Sequence, residues 1–185
     1  MDQPHLFDNT EKANEEAGLN YWENKFLATL RQEIIDNREE GCQCKICDQN
    51  VKLYKRNFNS AMSLVMIKIA EETKALEGFQ TPIWIQVENL LKAAPDIPST
   101  ARGDFPKAVH WGLLEKQPGE RDDGSTRMGF YQITQKGEDF VNGKITIPKW
   151  VKLYNKEIIG FAEDHITIKE ALGTKFNYEE MMRGE

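Results

Sequence analysis

Residues 129–141, Gly-Phe-Tyr-Gln-Ile-Thr-Gln-Lys-Gly-Glu-Asp-Phe-Val, carry the sharpest change of period in the chain. A strand read by twos ends at Thr134, Gly137 sits three residues on, and Phe140 follows as a helix begins. Side chains alternate faces along a strand and recur every three to four residues along a helix, so this junction joins both element types within one domain. The fold class it predicts is α+β.

The parts before this junction come in a definite order. Asn59 or Ser60 can cap a helix carrying Met62, Leu64, Val65, Ile67, Ile69 and Ala70, which Gly78 breaks. Thr81 to Val87 is β-rich and reads as a short strand, and Glu88 to Ala94 reads as a second helix stopped by Pro95. Pro82 could instead open a longer helix, which leaves that boundary soft. A third helix is predicted from Thr100 or Gly103 to Trp111, with Pro106 in its first turn, where a missing N–H is tolerated. Gly112 ends it, Leu113–Lys116 starts an outgoing strand, and Pro118–Thr126 is dense in turn formers, as at a hairpin tip. Trp111 is expected to anchor the third helix to the core, and Met62, Met66, Trp84, Phe140 and Trp150 to be packing residues.

The 129–141 run resembles the aromatic–x–Leu-Thr–x–Lys-Gly–x–x–Phe signature that closes the wing of winged helix-turn-helix domains of MarR and PadR type. His110-Trp111-Gly112-Leu113-Leu114 is similar to the segment leading their recognition helices into the wing. The resemblance implies a winged helix-turn-helix core over residues 58–143. Added to it are an acidic leader (1–16), an N-terminal amphipathic helix with a cysteine knuckle (17–57), and a C-terminal β-hairpin and helix (144–185). In DNA-bound domains of this kind the third helix enters the major groove. That role falls on Thr100, Arg102, Lys107 and His110, with Lys92 nearby and Arg102 as the foremost groove contact. The wing arginines would be Arg121 and Arg127. Glu120, Asp122 and Asp123 flank Arg121, a departure from the family pattern that places repulsive charge at the tip. The wider arrangement also resembles uncharacterised proteins of tailed bacteriophages, which implies a phage-encoded protein acting in the host cytoplasm.

Upstream, Trp22, Phe26, Leu27, Leu30, Ile34 and Ile35 recur at three- and four-residue steps between Asn20 and Asn37, one face of an amphipathic helix expected to pack on the core. Winged regulators often form homodimers through flanking helices, and Trp22, Phe26, Leu30 and Ile34 offer such a face. Gly41 closes the helix in a left-handed cap.

Cys44-Lys-Ile-Cys47 then resembles the knuckle half of a zinc ribbon, with spacing that brings two thiolates to one tetrahedral ion at about 2.3 Å each. Cys42 could supply a third ligand; the fourth would have to be Asp48, His5, His110 or His165. The alternative is a tight turn holding small thiols. The strand read over Val51–Arg56 puts Lys52, Tyr54 and Arg56 on one face beside Lys45 and Lys55. Such a face suits a phosphate backbone, and equally a solvated sheet edge whose lysines discourage pairing.

A formal net charge of −6 argues against indiscriminate polyanion binding. Ten acids and four bases fall in residues 1–41, which leaves twenty of each in residues 42–185. A balanced body can still carry a local basic face. The acidic start lacks the basic and apolar regions of a signal peptide, no apolar run reaches the roughly 18 residues of a membrane span, and a cytoplasmic location is expected. Glycine-rich phosphate loops, H-E-x-x-H and G-x-S-x-G are absent from the sequence. The expectation is a non-enzymatic DNA-binding regulator. A protein-docking module that inhibits a host defence or transcription protein through an acidic surface is the alternative.

Overall fold

A computed structural model describes residues 20–78, 82–94, 97–119, 129–174 and 176–183. The chain divides into two compact units, Met1–Tyr54 and Lys55–Glu185. Both helices and short antiparallel sheets are present, so the chain is α+β. No described helix is long and apolar enough to cross a membrane.

In the first unit, helix α1 (Tyr21–Asn37) starts at a capping box. The Asn20 side chain accepts the Trp22 and Glu23 amides, and the Glu23 carboxylate accepts the Asn20 amide at 2.8 Å. Gly41 (φ +94°) turns the chain back, with its amide on Asn37 O. Strands β1 (Cys42–Gln43) and β2 (Asn50–Val51) then pair antiparallel. The apolar face of α1 is less covered than its spacing predicts. Leu30 is its only buried residue, while Tyr21, Trp22 and Phe26 are 62–71% exposed.

The second unit is built on helix α2 (Ser60–Leu76), ten of whose residues are buried, from Ala61 through Thr73. Its cap is Asn59, whose Oδ1 accepts the Met62 amide at 2.9 Å. Strand β4 (Ile85–Gln86) leads directly into helix α3 (Val87–Ala93). A third helical segment follows as one α-helical turn, α4 (Ala101–Asp104), continued by a 3-10 stretch, Phe105–Trp111. The reason for the switch is legible: Pro106 lacks an N–H and cannot donate into an α-helical ladder, but it is tolerated at the first turn of the tighter helix.

Strands β5 (Leu114–Lys116) and β6 (Phe130–Ile133) run antiparallel, with Leu114 opposite Ile133 and Lys116 opposite Tyr131. On the other edge of β6, Ile85 pairs with Tyr131, so the spatial order is β4-β6-β5. Helix α5 (Gln135–Val141) leaves β6 through Thr134.

The C-terminal segment shares this core. Strand β7 (Ile147–Pro148) pairs with β10 (His165–Ile166), and β8 (Trp150–Tyr154) forms a hairpin with β9 (Glu157–Phe161). The connecting Asn155 and Lys156 both have positive φ (48° and 69°), as a two-residue turn matched to strand twist requires. Strand β3 (Tyr54–Asn57), which lies in this unit apart from its first residue, completes the order β3-β8-β9. Helices α6 (Ile168–Leu172) and α7 (Tyr178–Arg183) close the chain. Ile147, Val151, Ile168 and Leu172 belong to the same buried cluster as α2, so residues 144–185 are not a separate body.

Candidate nucleic-acid interface and cysteine turn

Ala101, Phe105, Ala108 and Trp111 are all buried, at steps of four, three and three residues, and fix which side of the third helical segment faces inward. Phe105 meets Tyr131 edge to face at 5.0 Å, and Trp111 meets Phe58 at 5.3 Å. The Trp111 indole Nε1 donates to Pro148 O at 2.6 Å. The segment is therefore held to the sheet, to Phe58 just before the α2 cap, and to the C-terminal strands at once.

Its end is locked by the very residues of the Thr-Gln-Lys-Gly run. Gly112 adopts the left-handed conformation (φ +68°), with its amide on Ala108 O and Val109 O. The Thr134 hydroxyl donates to Gly112 O at 2.7 Å, and the Thr134 amide donates to Leu113 O at 3.1 Å. The same hydroxyl accepts the Gly137 amide at 3.0 Å and so caps α5. Lys136 Nζ donates to Trp111 O at 2.8 Å, placing a cation on the carbonyl end of the helical segment. Gly137 leaves the room: a Cβ there would lie 2.2 Å from Leu113 O and 2.7 Å from Ile133 Cγ1.

The outward side carries Thr100, Arg102, Gly103 and Val109, all exposed, with Lys107 and His110 half-buried. Thr100 makes no side-chain cap to the segment. Arg102 stands exposed with no ion pair among the described residues. Lys107 is occupied: its Nζ sits 2.5 Å from Asp104 Oδ1. Asp104 also accepts Asn59 Nδ2 at 2.9 Å, which ties the α2 cap to the third segment. The Lys107 and Asn59 hydrogen bonds, helped by the nearby charge of Arg56, hold the Asp104 carboxyl below its ordinary value. Lys92 pairs with Glu88 at 3.4 Å. Asp104 is the residue that sequence reasoning left out. Its position three residues before Lys107 was the available signal, since such pairs face each other on a helix.

His110 has its pKa lowered from 6.5, first by burial and then by the Lys107 charge. The unfolded chain therefore takes up this proton first. The contribution is full above about pH 6.5 and is lost as pH falls through that value toward the lower folded pKa. The expected result is a thermal midpoint that drops between about pH 7 and pH 5, and a shallower drop in His110→Gln. An equal drop in the variant would assign the dependence to other groups.

The second basic cluster is divided. The strand read over 51–56 is two strands, broken at Lys52-Leu53 because the Leu53 amide turns to Arg38 O at 3.1 Å. Lys52 belongs to the first unit and lies between the strands, whereas Lys55 and Arg56 belong to the second and lie in strand β3 (Tyr54–Asn57). Lys55 Nζ lies over the Trp150 ring at 4.3 Å, a cation–π contact on the half-buried indole. Arg121 and Arg127 lie outside the described residues.

The Cys44–Cys47 turn is compact. The Asp48 amide donates to Cys44 O and the Cys44 amide to Gln49 O, both at 2.9 Å, while Asp48 takes φ +56°. The amides of Ile46 and then Cys47, followed by the Cys47 thiol, bond the Cys44 sulfur and lower its pKa from 9.0. Cys42 and Cys44 are half-buried and Cys47 is exposed. Among the described residues no three of His, Cys, Asp and Glu gather as a metal-holding group, so Cys42 does not complete a trio with Cys44 and Cys47. His165 lies in β10, with its Nδ1 3.2 Å from Thr146 Oγ1. Comparison with protein families, curated proteins and solved structures finds no match for this chain.

Proposed function

We propose that residues 58–143 form a winged helix-turn-helix and that the chain is a non-enzymatic DNA-binding regulator of phage type. The observation that carries this reading is the order helix, strand, helix, helix, strand, strand, with β6 in the middle of its sheet and the third helical segment presenting Arg102 outward. In such a domain the third segment lies in the major groove and neighbouring bases sit on phosphates. Arg102 is then the base-edge contact, Thr100 a backbone contact, and Arg56 a flanking cation. Lys107, bound to Asp104, serves to hold the segment more than to read DNA.

One observation favours a second reading. Asp104 neutralises Lys107 on the reading side, and Val109 is 38% exposed there. A surface of that mixed character suits a protein partner better than a polyanion. Fold by itself does not choose.

Duplex binding measured by fluorescence anisotropy over a salt series separates the two. A DNA reader shows log Kobs falling linearly with log salt, and Arg102→Ala weakens binding by about 1–3 kcal/mol if it reads a base edge. Absence of duplex binding at low salt would leave the docking reading.

A further inference from the structure

We propose that strand β9 is a self-pairing edge, on which a second copy of this chain adds its own β9 antiparallel about a two-fold axis. The proposal concerns the 55–185 unit and does not depend on its DNA reading.

The edge is open and weakly defended. In the order β3-β8-β9 the β8 backbone is paired on both sides, whereas among the described residues no strand covers the outer side of β9. Native sheets discourage pairing at such an edge with lysine or proline, and Glu-Ile-Ile-Gly-Phe contains neither. It carries two exposed apolar side chains instead, Ile158 at 41% and Phe161 at 47%.

Three residues apart on a regular strand, these two would point to opposite faces. The register with β8 shows why they do not. Leu153 lies opposite Ile158 and Val151 opposite Phe161, with Ile159 as the extra residue of the bulge between them. Val151 and Leu153 are two apart and share a face, so their partners share it also. Val151 is fully buried and Leu153 packs against the core. Ile158 and Phe161 thus carry the core face of the sheet out to its rim.

The unpaired backbone groups fall at the same two residues. The Ala162 amide donates to Trp150 O at 2.9 Å, so the N–H and C=O of neighbouring Phe161 turn away from β8. Glu157 flanks the two-residue turn opposite Tyr154, the bonded position in a hairpin of that length, so the groups of Ile158 turn away too.

A second β9 with Ile158 of each copy opposite Phe161 of the other satisfies these four groups in both chains. Each strand has the same extra residue, so the two bonded pairs fall at equal spacing. The same register sets Lys156 of one copy beside Glu163 of the other. Both are exposed, and neither makes an ion pair among the described residues. A copy of the strand therefore matches the edge in apolar, bonding and charged groups together, where an unrelated strand offers the backbone bonds alone.

The test uses the full ¹⁵N-labelled chain, with sedimentation velocity and amide hydrogen exchange followed over a dilution series. The expected result is a monomer–dimer equilibrium in which the Ile158 and Phe161 amides exchange slowly when concentrated and fast on dilution. The Ala162 amide stays protected throughout, so the parent alone reads the edge without any variant. Ile158→Lys gives a monomer that keeps the parent's circular dichroism. Glu163→Lys weakens the dimer about tenfold, because like charges then meet twice. Adding Lys156→Asp to it restores association; aspartate tolerates the positive φ of that turn position. A monomer at every concentration, a dimer unchanged by Ile158→Lys, or a dimer in which the Phe161 amide exchanges as fast as in the monomer would each overturn the proposal.

Discussion

Gly137→Ala is expected to destabilise the 55–185 unit by about 3 kcal/mol, at the upper end of what overpacking usually costs. The added Cβ would fall 2.2 Å from Leu113 O, a backbone atom that cannot swing aside as a side-chain tip can. Leu113 O is also the acceptor for the Thr134 amide, and Gly137 itself donates to Thr134 Oγ1. Relief of the clash must therefore separate α5 from the end of the third segment and loosen the Thr134 cap, worth about 1 kcal/mol by itself. Chemical denaturation followed by circular dichroism checks it. A midpoint within error of the parent would show that the two backbones are not as close as described. Replacement of Gly112 provides a contrast, since nothing lies within 4 Å of its Cβ position and the strain there comes only from its φ of +68°.

Trp111→Ala is the second large effect, about 3–5 kcal/mol for removal of a fully packed aromatic. Trp111 is 2% exposed, and Phe58, which it meets edge to face, also meets Phe140 at 5.3 Å. The indole joins the third segment to Phe58 just before the α2 cap, through Phe58 to α5, and directly to β7. Trp111→Phe separates packing from hydrogen bonding. It keeps an aromatic against Phe58 but leaves Pro148 O without the indole N–H, a loss of about 1–3 kcal/mol. Stabilities ordered parent, Trp111→Phe, Trp111→Ala are expected in denaturant titrations. Equal losses in both variants would mean that the hydrogen bond to Pro148 O, and not the cavity, dominates.

The fold was legible where period and end signals coincide. Asn20, Asn59 and Thr134 open helices at the positions their side chains favour, and Gly112 and Gly41 close elements with positive φ. The third segment was placed well, yet its 3-10 character follows from Pro106 acting with a packed Phe105, which spacing alone does not convey.

What escaped sequence reasoning is mostly tertiary. The apolar spacing of α1 predicts a packing face but cannot say that Trp22 and Phe26 stay exposed. Alternation over 51–56 suggests one strand because the bond from Leu53 to Arg38 O is set by a residue fifteen positions earlier, at α1's end. In the candidate site, the burial of Trp111 is legible from its place at the end of the third segment, whereas the neutralisation of Lys107 depends on Asp104 being fixed by Asn59 from another helix.

The most direct test of the central proposal is amide chemical-shift mapping of the ¹⁵N-labelled full chain during titration with a duplex. Perturbations concentrated at Thr100, Arg102, Gly103 and Val109, fading as salt rises, are the predicted result. Perturbations confined to α1 and the cysteine turn, or none at saturating duplex, would contradict it.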